Sequence, residues 1–151
     1  MALQIGVIGG GVVSEETAGI AYQVGKRIAE AGAVLVCGGL SGVMEQACKG
    51  AREAGGTTIG IVPSAYRGTA NAFVDFEIVT GAGQARNVII AQTADVLIAV
   101  SGEYGTLSEI ALGLKLGKPV ITLQSWEIEG TLAVSSPDEA VALALEKAKQ
   151  P

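Results

Sequence analysis

The sequence predicts an α/β protein with a single doubly wound, Rossmann-like parallel sheet and helices on both of its faces. Three observations favour this class. Short apolar runs, typical of strands buried on both faces, alternate with segments of helical periodicity along the whole chain. Glycine clusters follow several of these strands, at the edge where a parallel sheet binds its ligands. Neither a shift in composition nor an internal repeat divides residues 1–151, so we expect one domain.

The first half of the chain predicts three strands and two helices. Leu3 to Ile8 is an apolar run that ends in glycine, as a buried strand does. Ser14 is a suitable N-cap for a helix that continues to about Ala31, because Glu15 and Glu16 suit its first turn. The elements that follow are a strand from Ala33 to Cys37, a helix from Val43 to about Ala54 and a strand from Thr57 to Val62.

The second half continues the alternation after a polar, glycine-containing excursion from Ser64 to Ala72. Ser136 is a suitable N-cap for the last helix, with Pro137 at its first position and Glu139 at its third. Between the excursion and this helix we expect strands at Phe76 to Val79, Asp95 to Val100, Lys118 to Leu123 and Thr131 to Val134, and helices at Gln84 to Ala94 and Tyr104 to Leu116.

Charge and composition exclude several classes of function. A net charge of -5 argues against a nucleic-acid partner, which requires a basic surface. The absence of histidine excludes Ser-His-Asp catalysis, Cys-His catalysis and His-ligated metal sites, and we expect no resident metal. No apolar stretch of about 18 residues lacks charge or repeated glycine, so we expect neither a membrane span nor a membrane partner. With no signal peptide in evidence, Cys37 and Cys48 are expected to be reduced thiols of a cytoplasmic protein.

The glycines that follow strands mark the expected ligand-binding edge, because the carboxyl ends of parallel strands meet there. The incomplete fingerprint Gly9-x-Gly11-x-x-Ser14 disfavours an NAD site, since the third glycine is missing and no acidic residue ends the second strand. The glycine content of this edge also argues against a purely structural oligomer. We expect ligand contacts from three loops: Gly9, Gly10 and Gly11; Gly38, Gly39, Ser41, Gly42, Val43 and Met44; and Ser101, Gly102, Glu103, Tyr104, Gly105 and Thr106.

The segment from Ser101 to Thr106 favours phosphate binding over a plain turn. It joins a strand to a helix, its glycines let the backbone approach a ligand, and the free N–H groups of a helix start suit an anion. Glu109 shares a helix face with Thr106. Arg86, followed by Asn87, begins another helix, where a cation is unfavourable for the helix dipole. The position of Arg86 therefore predicts an anionic partner, which is a ligand phosphate, Glu109 in a structural ion pair, or both.

The stretch GQARNVIIAQTADVLIAVSGEYGTLSEIALGLKLGKPVITL, with the upstream stretches GGLSGVMEQACKGA and IGIVP, resembles the superfamily once labelled possible lysine decarboxylases. One branch holds the LOG-type phosphoribohydrolases, which release a base from a nucleoside 5′-monophosphate. The resemblance places their catalytic arginine and glutamate at Arg86 and Glu109. The other branch holds the molybdenum-cofactor carrier proteins, which bind the phosphorylated pterin without hydrolysing it. Nothing here resembles a pyridoxal-phosphate lysine, so lysine decarboxylation is not expected.

Three departures from the hydrolase motif P-G-G-x-G-T-x-x-E resemble the carrier branch. Ser101 replaces the proline, Glu103 replaces the second glycine, and Asn87 replaces the lysine that follows the arginine. Glu103 adds a negative charge and Asn87 removes a positive one, and both changes weaken the binding of a monophosphate.

The resemblance therefore implies a binding or carrier protein for a phosphate-bearing heterocyclic ligand, with molybdopterin cofactor as cargo. The alternative is a nucleoside 5′-monophosphate phosphoribohydrolase. A homodimer or homotetramer is expected from the resemblance and from a charged fraction of only 17%.

Overall fold

The computed structural model describes residues 1–149 and contains seven strands and five α-helices. The strands are β1 (Gln4–Gly9), β2 (Val34–Cys37), β3 (Thr58–Val62), β4 (Phe76–Val79), β5 (Val96–Val100), β6 (Val120–Leu123) and β7 (Leu132–Val134). The helices are α1 (Glu15–Glu30), α2 (Val43–Glu53), α3 (Arg86–Thr93), α4 (Tyr104–Lys115) and α5 (Pro137–Ala148). Each expected strand and helix is present, with bounds that differ by a few residues.

All seven strands form one parallel sheet in the order β4-β3-β2-β1-β5-β6-β7, which confirms the predicted fold class. The chain starts at the centre with β1 and moves outward to β4, then returns to the other side of β1 and moves outward to β7. Ile5 of β1 is thus in register with Leu35 on one side and with Val96 on the other. Beyond the carboxyl ends of β1 and β5 the connections diverge, which leaves a crevice at this point of the sheet.

The helices cover the sheet on both faces. Side chains of a strand alternate between faces, so Ile5 and Val7 of β1 belong to one core and Ile8 to the other. The first core contains buried residues of α1, α2 and α5, and the second contains Ile90 of α3 and Ile110 of α4. We refer to the second side as the α3/α4 face.

Helices α1 and α2 touch through their backbones at two glycines. A Cβ atom on Gly25 would lie 1.8 Å from the carbonyl oxygen of Ala47, and one on Gly50 would lie 2.0 Å from that of Tyr22. Since any side chain at these positions would force the helices apart, glycine is required for the close approach.

The helix expected from Gln84 begins differently. Residues Gly83–Ala85 form a 3₁₀ turn, and the α-helix starts at Arg86 without a side-chain N-cap. Gly83, the first residue of this turn, has a φ of 58°. The Ala85 N–H donates to the carbonyl oxygen of Ala82, three residues earlier, at 3.2 Å, which is the hydrogen bond of a 3₁₀ turn and not of an α-helix. The expected excursion is irregular as well, and the Glu77 carboxylate holds it by accepting hydrogen bonds from the N–H groups of Gly68, Thr69 and Ala70.

Cys37 and Cys48 are free, buried thiols whose Sγ atoms lie 3.4 Å apart. Within residues 1–149, no helix has the length and apolar character needed to cross a bilayer.

Candidate functional site

A cavity of about 330 Å³ lies beyond the carboxyl end of β1, between the first turns of α3 and α4 and the start of α2. Its position is the crevice that the sheet topology creates. It is lined by Ile8, Gly9, Gly10, Gly11, Val12, Met44, Gln84, Arg86, Asn87, Glu103, Gly105, Thr106 and Glu109.

Glycines let the loops after β1 and β5 approach each other on the floor of the cavity. A Cβ atom on Gly9 would lie 2.4 Å from the carbonyl oxygen of Val100, so no other residue fits there. Gly102 has a φ of 109°, and a Cβ atom there would meet the Thr106 hydroxyl at 2.3 Å. These close contacts hold the two loops together behind Gly9, Gly10, Gly11 and Gly105, the glycines that line the cavity.

The first turn of α4 points free backbone N–H groups toward the same space. Glu103 is the N-cap residue, and its side chain makes no capping hydrogen bond. The N–H groups of the first turn, including those of Gly105 and Thr106, have no partner within the helix. Since the positive end of the helix dipole lies here as well, this wall of the cavity favours an anion.

Arg86 is held rigidly at the opposite wall, with 8% of its surface exposed. Its Nε donates to the carbonyl oxygen of Ile61 at 3.0 Å, and its Nη2 donates to that of Gly38 at 3.4 Å. Its Nη1 donates to the side-chain oxygen of Asn87. Burial lowers the pKa of Arg86, and the nearby carboxylate of Glu109 opposes that shift. A guanidinium ion remains charged under these conditions, so the cavity wall carries a buried, preoriented cation.

Asn87 connects this cation to α4. Its Nδ2 donates to the hydroxyl of Ser108 at 3.2 Å, and that hydroxyl donates to the carbonyl oxygen of Gly105 at 2.6 Å. The residue that replaces the lysine of the hydrolase motif thus orients Arg86 and fixes the first turn of α4.

Glu109 faces the cavity from α4 and is as buried as Arg86, with 8% of its surface exposed. Burial raises the pKa of its carboxyl to about 7, and Arg86 opposes this shift. Among residues 1–149, ion pairs within 4.0 Å join only other residues, so the structural Arg86–Glu109 pair is not formed. A cation and a carboxyl whose pKa lies near neutral pH therefore face the same cavity without forming a close ion pair.

The structure separates the predicted contact residues into two groups. Those that line the cavity are Gly9, Gly10, Gly11, Met44, Arg86, Asn87, Glu103, Gly105, Thr106 and Glu109. Those that do not are Gly38, Gly39, Ser41, Gly42, Val43, Ser101, Gly102 and Tyr104.

Several members of the second group support the lining from behind. The Ser41 hydroxyl donates to the carbonyl oxygen of Gly11 at 2.9 Å, and the Val43 N–H donates to that of Gly10 at 3.0 Å. A ligand contact by these residues stays a prediction.

Ile8, Val12 and Gln84 line the cavity although they were not predicted to do so. Val12 follows the first glycine cluster as an exposed apolar residue, and Gln84 precedes Arg86 by two positions, so position alone could have indicated both. Ile8 has no such signal, since it looks like any other apolar residue of a buried strand.

Within the described part of the chain, the structure brings no three Cys, Asp or Glu side chains together as a metal site.

A family model described as LDcluster4, the SLOG cluster4 family, matches residues 2–150 of the chain. An uncharacterized protein of Archaeoglobus fulgidus is 51% identical over 140 residues, which are 92% of each protein. The cytokinin riboside 5′-monophosphate phosphoribohydrolase of Mycobacterium tuberculosis is 33% identical over 116 residues, which are 71% of this chain and 62% of that enzyme.

Two solved structures share the fold along almost their whole length. The molybdenum cofactor binding protein of Rippkaea orientalis superposes with a TM-score of 0.91 at 40% identity, over 97% of each chain. The molybdenum cofactor carrier protein of Chlamydomonas reinhardtii superposes with a TM-score of 0.90 at 36% identity, over 99% of this chain and 100% of that one. These comparisons confirm the resemblance inferred from the sequence and place the carrier proteins nearer than the hydrolase.

Proposed function

We propose, from the premise that this chain belongs to the SLOG cluster4 family, that it binds and carries a phosphate-bearing heterocyclic ligand with molybdenum cofactor as its cargo. One observation carries the proposal. The buried Arg86 faces a cavity whose other wall is the uncapped first turn of α4, and among residues 1–149 no carboxylate lies within 4.0 Å of its guanidinium nitrogens. An anionic group bound between these walls would pair with the guanidinium and would accept hydrogen bonds from the free N–H groups of α4.

The phosphate would lie between Arg86 and the first turn of α4. There it could accept hydrogen bonds from free backbone N–H groups, from the Thr106 hydroxyl and from the guanidinium. Charge-assisted hydrogen bonds contribute about 1.5–3 kcal/mol each. A few such bonds are enough to retain a cargo at low concentration.

Glu103 supports carriage over hydrolysis. It lines the cavity at the N-cap of α4. A neutral residue at this position would not repel a bound phosphate. The Glu103 carboxylate repels the phosphate of a cargo and of a nucleotide alike unless a cation accompanies the ligand. What favours carriage is therefore the departure of Glu103 from the glycine of the hydrolase motif. The side chain of Asn87 hydrogen-bonds to Arg86 and Ser108. It is uncharged and therefore does not offset the negative charge of Glu103.

The alternative is a nucleoside 5′-monophosphate phosphoribohydrolase, and one observation favours it. Arg86 and Glu109, the positions of the catalytic pair in the hydrolase motif, line the same cavity. In a hydrolase, Arg86 would hold the phosphate, and Glu109 would activate water or stabilise the cationic transition state.

We further propose that the protein is a homodimer or homotetramer of the cytoplasm, without nucleic-acid or membrane partners, in which residues 1–151 act as one domain. The support for assembly is an apolar patch of four exposed side chains. Phe76 and Ile78 of β4 are in register with Ile59 and Ile61, whose side chains belong to the α3/α4 face. Val88 and Ile89, exposed on α3, which packs on the adjacent β3, lie on the same face of the sheet, and we group these four side chains as the apolar patch. A patch of this kind favours contact with a second copy.

The decisive experiment is native mass spectrometry of the protein purified from its own cells. We expect a bound mass that ionises as a phosphorylated pterin or its molybdenum form, and we expect Arg86→Ala to lose it. Repeated isolation of ligand-free protein that also fails to bind added molybdenum cofactor would overturn the carrier function. Release of free base from a nucleotide would support the alternative.

A further inference from the structure

We infer that the aromatic pair Tyr104–Trp126 is the ring-binding subsite of the cavity, on which the heterocycle of the ligand stacks. This inference rests on the proposed function and adds the part of the site that recognises the ring. Tyr104 exposes 80% of its surface. Its ring stacks on that of Trp126 with centroids 6.1 Å apart and an interplanar angle of 29°.

The pair adjoins the cavity through its neighbours in the chain, and neither ring is part of the cavity lining. Tyr104 is the first residue of α4, and its neighbours on both sides, Glu103 and Gly105, line the cavity. The residues at the proposed phosphate-binding turn therefore directly flank the residue that carries the aromatic ring. A ligand held at the first turn of α4 has Tyr104 as its adjacent aromatic surface.

Trp126 is fixed in this position by the loop after β6. Its Nε1 donates to the carbonyl oxygen of Glu103 at 3.1 Å, which joins the indole directly to the N-cap of α4. The neighbouring Ser125 hydroxyl donates to the carbonyl oxygen of Ser101 at 2.5 Å. The loop is thus built onto the glycine loop that follows β5.

Backbone strain marks the same two loops. Ser101 and Gln124 both have a φ of 53°, a left-handed conformation that is uncommon for residues other than glycine. Each follows the last residue of its strand, and the Ser101 N–H donates to the carbonyl oxygen of Leu123 at 3.2 Å. Such strain persists where surrounding contacts fix the chain, and it is concentrated at ligand sites.

The chemistry of the pair selects an aromatic ring system. An exposed tyrosine ring backed by an indole offers one free face of a rigid stack, and a flat heterocycle extends that stack by a third layer. Stacking accepts any ring with a π-face. The ligand class is therefore a phosphate ester of a purine-like or pterin-like bicycle, and a sugar phosphate without a ring system would lack this contact.

Trp126 is the single tryptophan of the chain, so its fluorescence reports directly on stacking. The test titrates the protein with 6-hydroxymethylpterin phosphate and with GMP, and uses ribose 5-phosphate as the matched ligand without a heterocycle. We expect at least one of the two ring ligands to quench Trp126 emission and to bind about tenfold tighter than ribose 5-phosphate by calorimetry. Tyr104→Leu should remove this difference and leave the affinity for ribose 5-phosphate unchanged, whereas Tyr104→Phe should retain it.

Tyr66→Leu is the matched control, because Tyr66 is an exposed tyrosine of the excursion whose neighbours in the chain, unlike those of Tyr104, do not line the cavity. Equal affinity for ring ligands and ribose 5-phosphate would overturn the ring-binding subsite and leave the phosphate site intact. A loss of ribose 5-phosphate binding in Tyr104→Leu would overturn it too, because the tyrosine would then act through the fold of α4. If none of the three ligands binds to wild-type protein, the proposed function fails together with the subsite.

Discussion

Arg86 and Glu109 face the same cavity from two helices, yet the guanidinium donates to the carbonyl oxygen of Ile61 and to Asn87 instead of pairing with the carboxylate. The guanidinium is thus held by other partners, although the charge of each group still acts on the pKa of the other. Burial lowers the pKa of Arg86, which stays charged, and it raises the pKa of Glu109 to about 7. The charge of the cavity thus depends on pH through one residue, and it can be altered one side chain at a time.

Stability should fall with rising pH because of Glu109. Its carboxyl has an ordinary pKa of 4.5 in the unfolded chain and of about 7 in the folded protein. Between these values the folded protein holds a proton that the unfolded chain has lost, so the free energy of unfolding decreases until the pH exceeds about 7. We expect Glu109→Gln to stabilise the protein by up to about 3 kcal/mol at pH 8 and by almost nothing at pH 4.5.

Urea denaturation at both pH values measures this difference, and Glu127→Gln, at an exposed position, serves as the control. If the free energy of unfolding changes equally with pH in Glu109→Gln and in wild type, ionisation of the buried carboxyl does not destabilise the fold.

Arg86→Ala should weaken the binding of a phosphate ligand by about tenfold or more, because charge-assisted hydrogen bonds of this kind are lost. Arg86→Lys should restore little of this affinity, since an ammonium group cannot reproduce the planar set of donors that reaches Ile61 and Gly38. Calorimetry with GMP gives the dissociation constants, and circular dichroism checks the fold. Arg67→Ala, in the exposed excursion, should bind as wild type does, and an unchanged constant for Arg86→Ala would remove Arg86 from the site.

Wild-type protein should release no free base from AMP, with or without magnesium. The physical reason is charge balance, because Glu103 and Glu109 line the cavity against Arg86 alone among the cationic residues of its lining. Chromatography of the reaction mixture detects the base. Turnover by wild type that disappears in Glu109→Gln and rises in Glu103→Gly would establish the hydrolase instead of the carrier.

Assembly should depend on the apolar patch of Phe76, Ile78, Val88 and Ile89. Light scattering at micromolar concentration should give a multiple of the 15.2 kDa chain mass for wild type. We expect Val88→Glu combined with Ile78→Lys to yield monomers, because charges would then be buried in the interface. Ile128→Asp, at an exposed apolar residue outside the patch, is the control. A monomeric wild type would exclude the proposed assembly.

Gly25→Ala should destabilise the protein by several kcal/mol. Its methyl group would overlap the carbonyl oxygen of Ala47, so α1 and α2 would have to separate. Gly19→Ala in the same helix is a matched control, since nothing lies within 4 Å of a Cβ atom there. That variant should gain about 0.5–1 kcal/mol from helix propensity. Equal thermal shifts of the two variants would show that the backbone contact between the helices contributes little.

Periodicity and glycine placement predicted every strand and α-helix of residues 1–149, because most of the apolar runs are followed closely by a glycine, a proline or a helix cap. The same pattern could not predict the 3₁₀ turn before Arg86. That turn contains Gly83 in a left-handed conformation, which no local rule requires.

Ten of the residues predicted from the sequence, among them Gly9 to Gly11, Arg86 and Glu109, line the cavity, and the other eight do not. Ligand contact by either group stays a prediction. A strand end shows which loop reaches the binding edge, and it does not show which side chains turn inward. Nor could spacing decide between an ion pair and a free carboxylate. That outcome depends on Asn87, whose amide oxygen accepts from the guanidinium.

The contact between α1 and α2 has a consequence for motion. At Gly25 and Gly50 the backbones of the two helices are in direct contact, with no flexible side chain between them. The two helices therefore move together as one rigid unit. The loops that lead into them, which carry Gly9 to Gly11 and Gly38 to Gly42, are coupled in the same way and form a stiff half of the binding crevice. The other half of the crevice is held by side-chain hydrogen bonds through Asn87 and Ser108, which join α3 to α4. Because a side-chain hydrogen bond can break and re-form without separating two backbones, we expect the residence time of a ligand to depend on these links more than on the contact between α1 and α2.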